Sequence, residues 1–317
     1  MPHLILRTDN TCALPRFEAK RLNKTVMTNE LSSWRFAVFS SHLHHFIPEI
    51  PWEEHIVIFQ KWEQYHSPQN KLLDLTNMRL SNKIDWHGLP AGILVLFHLG
   101  DHLFWPQKLA DEGVAFDLVM DRAVWEKNTA VLTALQSNCT VNGAKCCYFF
   151  SDDPMLIFKI KSSLKQRRHV LIFADGTSAA SAHDKRVEVD FFAEKLAVKP
   201  GIALISHLLN CPIYALHSHT KDDILILQLM YISTRDSSVS RESYVLQTMQ
   251  SLFAGLAGLL LRQPHRWECW GYLHRNGMWD PNLLYLNKDE KMLVHFVKLP
   301  IQDGWAFFDR VNYMLYH

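Results

Sequence analysis

The sequence predicts an α/β protein in which a mostly parallel central sheet is covered by helices on both faces. One observation behind this prediction is a set of short, continuously apolar runs, such as residues 93–97 and 169–174, which are typical of strands buried on both sides. A second is that segments with helical spacing separate these runs. Strands that alternate with helices favour a parallel sheet, because each helix carries the chain back to the edge where the next strand begins.

Each predicted element rests on its own sequence pattern. Apolar spacing predicts a helix over residues 52–65, whereas residues 1–50 are mixed and turn-rich. The motif S-D-D-P predicts a helix over residues 153–164, and Ser240 is the predicted N-cap of a helix that Pro264 ends. The other predicted helices cover residues 102–112, 122–136 and 201–209. The predicted strands cover residues 93–97, 116–120, 146–150, 169–174, 212–217 and 225–232.

We therefore expect an N-terminal helical or irregular region over residues 1–50 and a single α/β domain over residues 51–317. Within the first region, the motif S-S-H-L-H-H at residues 40–45 is interpreted as a surface segment, because no carboxylate or cysteine cluster accompanies the three histidines.

Composition excludes several classes of function. The 317 residues include 33 Lys and Arg against 32 Asp and Glu, so no strong overall field would attract nucleic acid. The N-terminus lacks the apolar run of a secretory signal, and no stretch reaches the roughly 20 apolar residues that a membrane-spanning helix needs. The six cysteines show neither a C-x-x-C pair nor a zinc spacing. We expect a cytoplasmic protein with reduced thiols, no metal and no cofactor.

The motif F-H-L-G-D-H-L at residues 97–103 places two histidines and a carboxylate at the end of a predicted strand. If a helix starts near His98, Asp101 and His102 lie on the same helical face, and Gly100 leaves room for a substrate to approach the backbone. A histidine held by a carboxylate acts as a general base. We predict that His98 is such a base and that Asp101 orients it. The alternative is that His98 caps a strand and Asp101 starts a helix.

A second motif, A-D-G-T-S-A-A at residues 174–180, also follows a predicted strand. Asp175 and Gly176 form a turn, and the hydroxyls of Thr177 and Ser178 are candidates to hold an anion. Because ligands gather at the carboxyl ends of parallel strands, we expect His98 and Asp175 to lie at one edge of the sheet.

Two other interpretations of this second motif remain open. G-T-S-A-A is close to the nucleophile elbow of serine hydrolases, with Ser178 as the nucleophile. Its partners would then come from Asp222 or Asp223 and from His265 or His274. The motif is also compatible with a plain surface turn.

A third block, residues 188–216, combines two aromatic residues, two lysines and a Pro-Gly helix start. Lys195 and Lys199 are candidates to contact a phosphate or an acidic carrier protein, and solvated surface lysines are the alternative. The sequence contains no G-x-x-x-x-G-K-[ST], G-x-G-x-x-G or H-E-x-x-H motif.

Taken together, these blocks resemble the lysophospholipid acyltransferase-like superfamily, and its lipid A late acyltransferase branch in particular. F-H-L-G-D-H-L is similar to the family's H-x-x-x-x-[DE] block, and Asp175-Gly176-Thr177 matches its [DE]-G-T block. Residues 191–215 and the motif P-H-R-W-E-C-W-G-Y-L-H-R at residues 264–275 resemble the two blocks that follow in the family. The resemblance covers roughly residues 50–280.

The resemblance implies transfer of an acyl group from a thioester to a hydroxyl or amine, with His98 deprotonating the acceptor. It implies a donor on an acyl carrier protein or coenzyme A and an acceptor that is a lipid or a small molecule, without nucleic acid. The substrate-binding residues that it implies are Gly100, His102, Asp175, Gly176, Thr177, Ser178, Lys195 and Lys199.

The sequence departs from the family pattern at three points. Leu103 stands where the family has its orienting carboxylate, Ser178 stands where an arginine often follows [DE]-G-T, and the N-terminal membrane helix of the lipid A branch is absent. Asp101 is the expected replacement for the carboxylate, and His102 or an acid distant in the chain are the alternatives. The departures favour an unusual donor or acceptor, such as an aminoacyl group, or a non-catalytic homologue that binds an acyl group or its carrier.

Membrane contact is also expected at two segments near the C-terminus. The apolar residues 252–261 fit either a core helix or a segment that dips into a membrane surface. Together with the Trp- and Arg-rich residues 262–275, they are candidate contacts for a carrier or for a membrane, with the protein peripheral to an inner membrane.

Overall fold

The computed structural model describes residues 33–67, 78–80, 84–176, 185–221, 224–273, 295–301 and 304–316. In chain order its helices are α1 (Trp34–Phe46), α2 (Trp52–His66), α3 (Phe104–Asp111), α4 (Arg122–Val141), α5 (Leu156–Lys165), α6 (Gly201–Leu209) and α7 (Arg241–Leu260). The strands are β1 (Met78–Leu80), β2 (Ile93–Leu96), β3 (Phe116–Met120), β4 (Cys146–Phe150), β5 (His169–Phe173), β6 (Val187–Phe191), β7 (Glu194–Val198), β8 (Ile213–Lys221), β9 (Ile224–Ser233), β10 (Phe296–Ile301), β11 (Gly304–Asp309) and β12 (Met314–Tyr316). Two short 3₁₀ helices, Pro264–Arg266 and Glu268–Gly271, follow α7.

The central sheet of the described chain has seven strands in the order β1-β9-β8-β2-β5-β3-β4. The five strands from β8 to β4 run parallel to one another, and β9 runs antiparallel to β8. Along the chain, β2, β3, β4 and β5 are each followed by a helix before the next strand of this parallel set, as the alternation in the sequence predicts. The prediction of a mostly parallel α/β sheet is confirmed.

Helices cover both faces of this sheet. All four residues of β2 are buried, because Ile93 and Val95 pack on one side while Leu94 and Leu96 pack on the other. The first side meets α1, α2 and α7, and the second meets α3 and α4. Helix α5 also packs on the first side, where its Ile160 forms a smaller buried cluster with Phe149 and Val170.

Helix α1 belongs to the same core as the sheet, so residues 34–46 are part of the α/β unit. Phe36, Phe39, Leu43 and Phe46 are buried together with side chains of β2 and α7. Ser33 caps the helix by accepting a hydrogen bond from the backbone N–H of Phe36.

The interpretation of residues 40–45 as a surface segment is wrong. His42 is fully buried and its Nδ1 lies 2.6 Å from the carbonyl oxygen of Trp270, while His45 Nε2 lies 2.7 Å from that of Val311. Ser41 donates a hydrogen bond to the carbonyl of Arg310. The polar residues of α1 are therefore buried because distant backbone carbonyls satisfy them.

Several elements were not expected from the sequence. The segment around Lys195 forms an antiparallel hairpin of β6 and β7, and the C-terminal residues form an antiparallel sheet of β10, β11 and β12. Phe308 and Leu299 of this C-terminal sheet pack into the core that includes α1.

Most of the large apolar side chains of residues 252–261 face the core, as the interpretation of this segment as a core helix predicts. Leu252, Phe253, Leu256 and Leu260 of α7 are buried, and Trp267 and Trp270 are completely buried after it. These side chains form the core, so contact with a membrane would require them to leave it. No helix in the described part of the chain is long and apolar enough to cross a membrane.

Candidate functional site

His98 and Asp175 form a hydrogen-bonded pair at the carboxyl edge of the sheet. His98 follows β2 and Asp175 follows its neighbour β5, which places both at the same edge. The Nδ1 atom of His98 lies 2.8 Å from Oδ1 of Asp175. The His98 side chain keeps 29% of its surface exposed, whereas Asp175 keeps 2%. The pair therefore combines a buried carboxylate with a partly exposed imidazole.

Asp175 accepts further hydrogen bonds through its second oxygen. Oδ2 lies 2.9 Å from the backbone nitrogen of His98, 2.7 Å from Nε1 of Trp267 and 3.3 Å from Sγ of Cys269. Burial raises the pKa of this carboxyl, but His98 and the donated hydrogen bonds lower it by more, so the pKa lies below its ordinary value. The site thus holds Asp175 as a carboxylate in one orientation.

Backbone hydrogen bonds attach the segment after β2 to the 3₁₀ helices after α7. The N–H of Gly100 donates to the carbonyl of Arg266 at 2.9 Å, and the N–H of Glu268 donates to the carbonyl of His98 at 2.9 Å. Leu99 and Trp267 form an antiparallel bridge between these bonds. The same contacts that position His98 also bring Trp267 to Asp175.

Asp101 does not orient His98, and the prediction of that role is wrong. Its Oδ2 lies 2.5 Å from Nη2 of Arg266, and its Oδ1 accepts a hydrogen bond of 2.8 Å from the hydroxyl of Tyr65. Both Asp101 and Arg266 have side chains that are almost fully buried in this ion pair. The physical reason is that the chain turns at Gly100 and α3 begins only at Phe104, so the assumed helical offset from His98 does not exist.

Gly100 has a different role from the one expected. Its φ of +59° lies in the left-handed region, which glycine adopts without strain. A Cβ atom at this position would lie 2.8 Å from Nη2 of Arg266. The space beside Gly100 is therefore filled by the guanidinium group, and it is not a path for a substrate.

His102 lies behind His98 and is buried. The centroids of the two rings are 5.3 Å apart, and the ring of Phe173 packs against both. His102 also lines a small crevice together with His217 of β8. These contacts make His102 a packing neighbour of His98, while the exposed Leu103 points to solvent.

A small cleft opens beside Asp175 and Gly176. Its walls are apolar side chains that include Leu196, Phe253 and Trp267, and two cations, Arg186 and Lys199, also line it. Lys199 is thus placed where the sequence interpretation expects a substrate contact. The cleft combines apolar walls with positive charge next to the His98–Asp175 pair.

Lys195 does not line this cleft, so its expected contact with a phosphate or an acidic carrier stays a prediction. Its Nζ pairs with Oδ1 of Asp190 across the β6–β7 hairpin at 2.8 Å, and both side chains are largely exposed. Alternation along β7 turns Leu196 and Val198 inward and leaves Lys195 on the solvent side.

The candidates for a serine hydrolase lie mostly outside the described residues. This applies to Ser178, Asp222, Asp223 and His274, and the substrate-binding candidate Thr177 also lies outside the described residues. His265 is described and is largely buried, and burial lowers its pKa to about 4. Its ring contacts Tyr65.

One group of described side chains has the composition of a metal site. One ligand atom from each of His98, Asp175 and Cys269 lies within 4.8 Å of the others. Burial and the charge of Asp175 raise the pKa of the Cys269 thiol well above its ordinary value, so without a metal the thiol is protonated and donates to Asp175. We interpret the group as a hydrogen-bonded cluster.

Sequence reasoning did not single out Trp267 and Cys269 as partners of Asp175. The only signal was the resemblance of residues 264–275 to a Trp- and Arg-rich block, and it carried no information about which side chains turn inward. Trp267 lies 92 residues after Asp175 in the chain. A contact of that separation follows from the fold and cannot be read from local spacing.

The fold and this site define an α/β protein that carries a carboxylate-bound histidine at the carboxyl edge of a parallel sheet. No protein-family model matches the chain, and a comparison with curated proteins found no match.

Proposed function

We propose that this protein is an acyltransferase that moves an acyl group from a thioester to a hydroxyl or amine. The observation that carries the proposal is the His98–Asp175 pair, in which a partly exposed imidazole is bound through Nδ1 to a buried carboxylate. With the carboxylate as acceptor, Nδ1 carries the proton and Nε2 presents its lone pair. This is the arrangement of a general base.

The reaction transfers one proton from the acceptor to the leaving thiolate, and His98 carries it between the two steps. Nε2 of His98 takes the proton of the acceptor hydroxyl or amine while the acceptor attacks the thioester carbonyl, and Asp175 stabilises the imidazolium that forms. Collapse of the tetrahedral intermediate breaks the carbon–sulfur bond, and the leaving thiolate receives the proton from Nε2. The products are an ester or amide and a free thiol, and His98 returns to its starting state.

The cleft beside Asp175 supports a substrate that is partly apolar and partly anionic. Leu196 and Phe253 offer apolar surface, and Arg186 and Lys199 offer positive charge at the same cleft. Thioester donors on a phosphate-containing arm and acidic lipid acceptors both have this composition. The proposal includes a location in the cytoplasm, with the acyl donor on a carrier protein or coenzyme A.

A thioester assay with purified protein tests the proposal. We expect free thiol to be released in the presence of an acceptor, and we expect His98→Ala and Asp175→Asn to lower kcat by about 100-fold or more, in line with typical general-base contributions. The control is His87→Ala, since His87 is an exposed histidine away from the site. Full turnover by His98→Ala would exclude this mechanism. Binding of a donor without thiol release would indicate the non-catalytic homologue instead.

A further inference from the structure

The outer side of α5 exposes large apolar side chains on a well-packed helix. Met155, just before the helix, is 52% exposed and Phe158 is 64% exposed. The inner side of the same helix is packed, with Ile160 fully buried against Phe149 and Val170. The adjacent helix α6 packs into the same cluster and exposes Leu204 and Leu208. Exposed apolar residues on neighbouring elements are typical of an interaction surface.

The same side of α5 is basic. Residues 154–173 include five Lys and Arg residues and no Asp or Glu. Arg168 turns inward to pair with Asp117, and Lys159 pairs with Asp153. Within the described part of the chain, the other three cations make no ion pair, and all are exposed: Lys161, Lys165 and Arg167. The α5 face, defined as Met155, Phe158, Lys161, Lys165 and Arg167, therefore suits an acidic partner with some apolar surface.

The α5 face lies on the same side of the sheet as the cleft. Leu164 and Ile172 pack against both the α5 cluster and the core that contains Trp267. In the sheet order, β4, which precedes α5, is three positions from β2, which precedes His98. With strands about 4.8 Å apart, the end of β4 lies roughly 14 Å from the end of β2 along the carboxyl edge. A flexible arm from a partner on α5 would span a distance of this order.

The direction of α5 favours a compact protein over a bilayer as the partner. The helix starts at the carboxyl edge and runs away from it, so Lys161 and Lys165 lie about 9 Å and about 15 Å along the axis from Met155. A bilayer that presents a lipid to His98 would lie across the carboxyl edge. The cations instead lie along the flank, where a partner docks beside the site and delivers its cargo on an arm.

We propose that the α5 face docks an acidic carrier protein that delivers the acyl thioester to His98. This inference rests on the proposed acyltransferase function and names the donor as a protein-bound thioester. Charged residues at the rim of such an interface chiefly affect the rate of association and its dependence on salt.

The test compares one acyl group on two donors, an acidic acyl carrier protein and pantetheine alone. For the double variant Lys161→Glu, Lys165→Glu we expect kcat/KM with the carrier-bound donor to fall by about tenfold or more and to lose most of its salt dependence. With the pantetheine thioester we expect a change of less than about twofold, since neither residue belongs to the site. The matched control is Lys127→Glu, Arg235→Glu, which reverses two exposed cations elsewhere.

Three outcomes would overturn the docking proposal. Equal losses with both donors would show damage to the site, and no loss with either would show that the α5 face is not used. Loss of binding to anionic phospholipid vesicles, with unchanged carrier kinetics, would assign the face to a membrane. If the unaltered protein releases no thiol from either donor, the acyltransferase proposal fails. In that case, fluorescence anisotropy of the labelled carrier with each double variant measures docking separately from activity. Weaker binding to Lys161→Glu, Lys165→Glu than to the control would support docking on the α5 face, and equal binding would overturn it.

Discussion

Asp175 shows how a single side chain can be fixed by donors from distant parts of the chain. Its four donors are the ring and the backbone N–H of His98, the indole of Trp267 and the thiol of Cys269. Three of them converge on Oδ2 and leave Oδ1 to the imidazole. Hydrogen bonds to a charged group contribute more than neutral ones, so each donor helps to hold the carboxylate in place.

The substitution Trp267→Phe removes the indole donor of Asp175 and keeps an aromatic ring. Loss of a donor destabilises the carboxylate, so the pKa of Asp175 should rise. We expect kcat to fall by roughly tenfold and the loss of activity on acidification to occur at a higher pH. The measurement is the pH dependence of kcat.

The matched control for this prediction is Trp270→Phe. Trp270 is equally buried, but its Nε1 donates to the carbonyl of Pro264 at 2.7 Å and does not contact Asp175. The Trp270→Phe substitution should lower the free energy of unfolding without shifting the pH dependence of kcat. Identical profiles for both variants would show that Trp267 acts only through packing.

The local sequence was enough to predict where His98 and Asp175 lie. Each of the two residues follows an apolar run that is typical of a buried strand. This pattern predicted that both lie at the same edge of the sheet. The identity of the orienting acid could not be read, because the offset from His98 to Asp101 assumed a helix. The chain turns at Gly100 instead, and Asp101 is neutralised by Arg266, 165 residues away.

At the scale of elements, the parallel strands were the easiest to predict. The apolar run at residues 93–97 corresponds to β2, because a strand buried on both faces has no polar side to interrupt the run. Helix α1 was hard to predict for the opposite reason. Its buried side carries Ser40, Ser41 and His42, whose hydrogen-bond partners appear only in the folded chain.

The turn after β2 supplies a prediction about stability. Gly100→Ala adds a Cβ atom at a positive φ and against the guanidinium of Arg266, so it should destabilise the fold by about 1–3 kcal/mol. The measurement is the free energy of unfolding in urea.

The control for this turn is Gly258→Ala on α7, where a new Cβ atom meets no other atom within 4 Å. Alanine should stabilise that helix by up to about 1 kcal/mol. Equal effects of the two substitutions on the free energy of unfolding would contradict the role given to Gly100.

Across the whole molecule, buried histidines set the response to pH. Burial is the main cause that lowers the pKa of His55 to about 3 and of His169 and His217 to about 4. These groups stay neutral in the folded protein but bind a proton near pH 6.5 once unfolded. Their contribution to stability is complete above pH 6.5 and is lost as the pH falls towards about 4.

We therefore expect the free energy of unfolding to fall steadily between pH 7 and pH 5, before the carboxylates titrate. Urea unfolding at several pH values measures this slope. His217→Leu should make the slope shallower, because one titrating group is removed, whereas His87→Gln should leave it unchanged since His87 is exposed. A stability that is independent of pH over this range would contradict the assignment of buried, neutral histidines.

The attachment of residues 98–101 to residues 266–268 has a consequence for the newly made chain. The ribosome adds roughly 5–20 residues per second, so the chain reaches Cys269 about 10–30 s after His98. During that time His98 has no backbone partner from the later segment, and β2 has no cover from α7. The His98–Asp175 site is therefore among the last parts of the molecule to form, and a nascent chain that ends before α7 would leave Ile93 and Val95 of β2 without the apolar side chains of α7 that share their core.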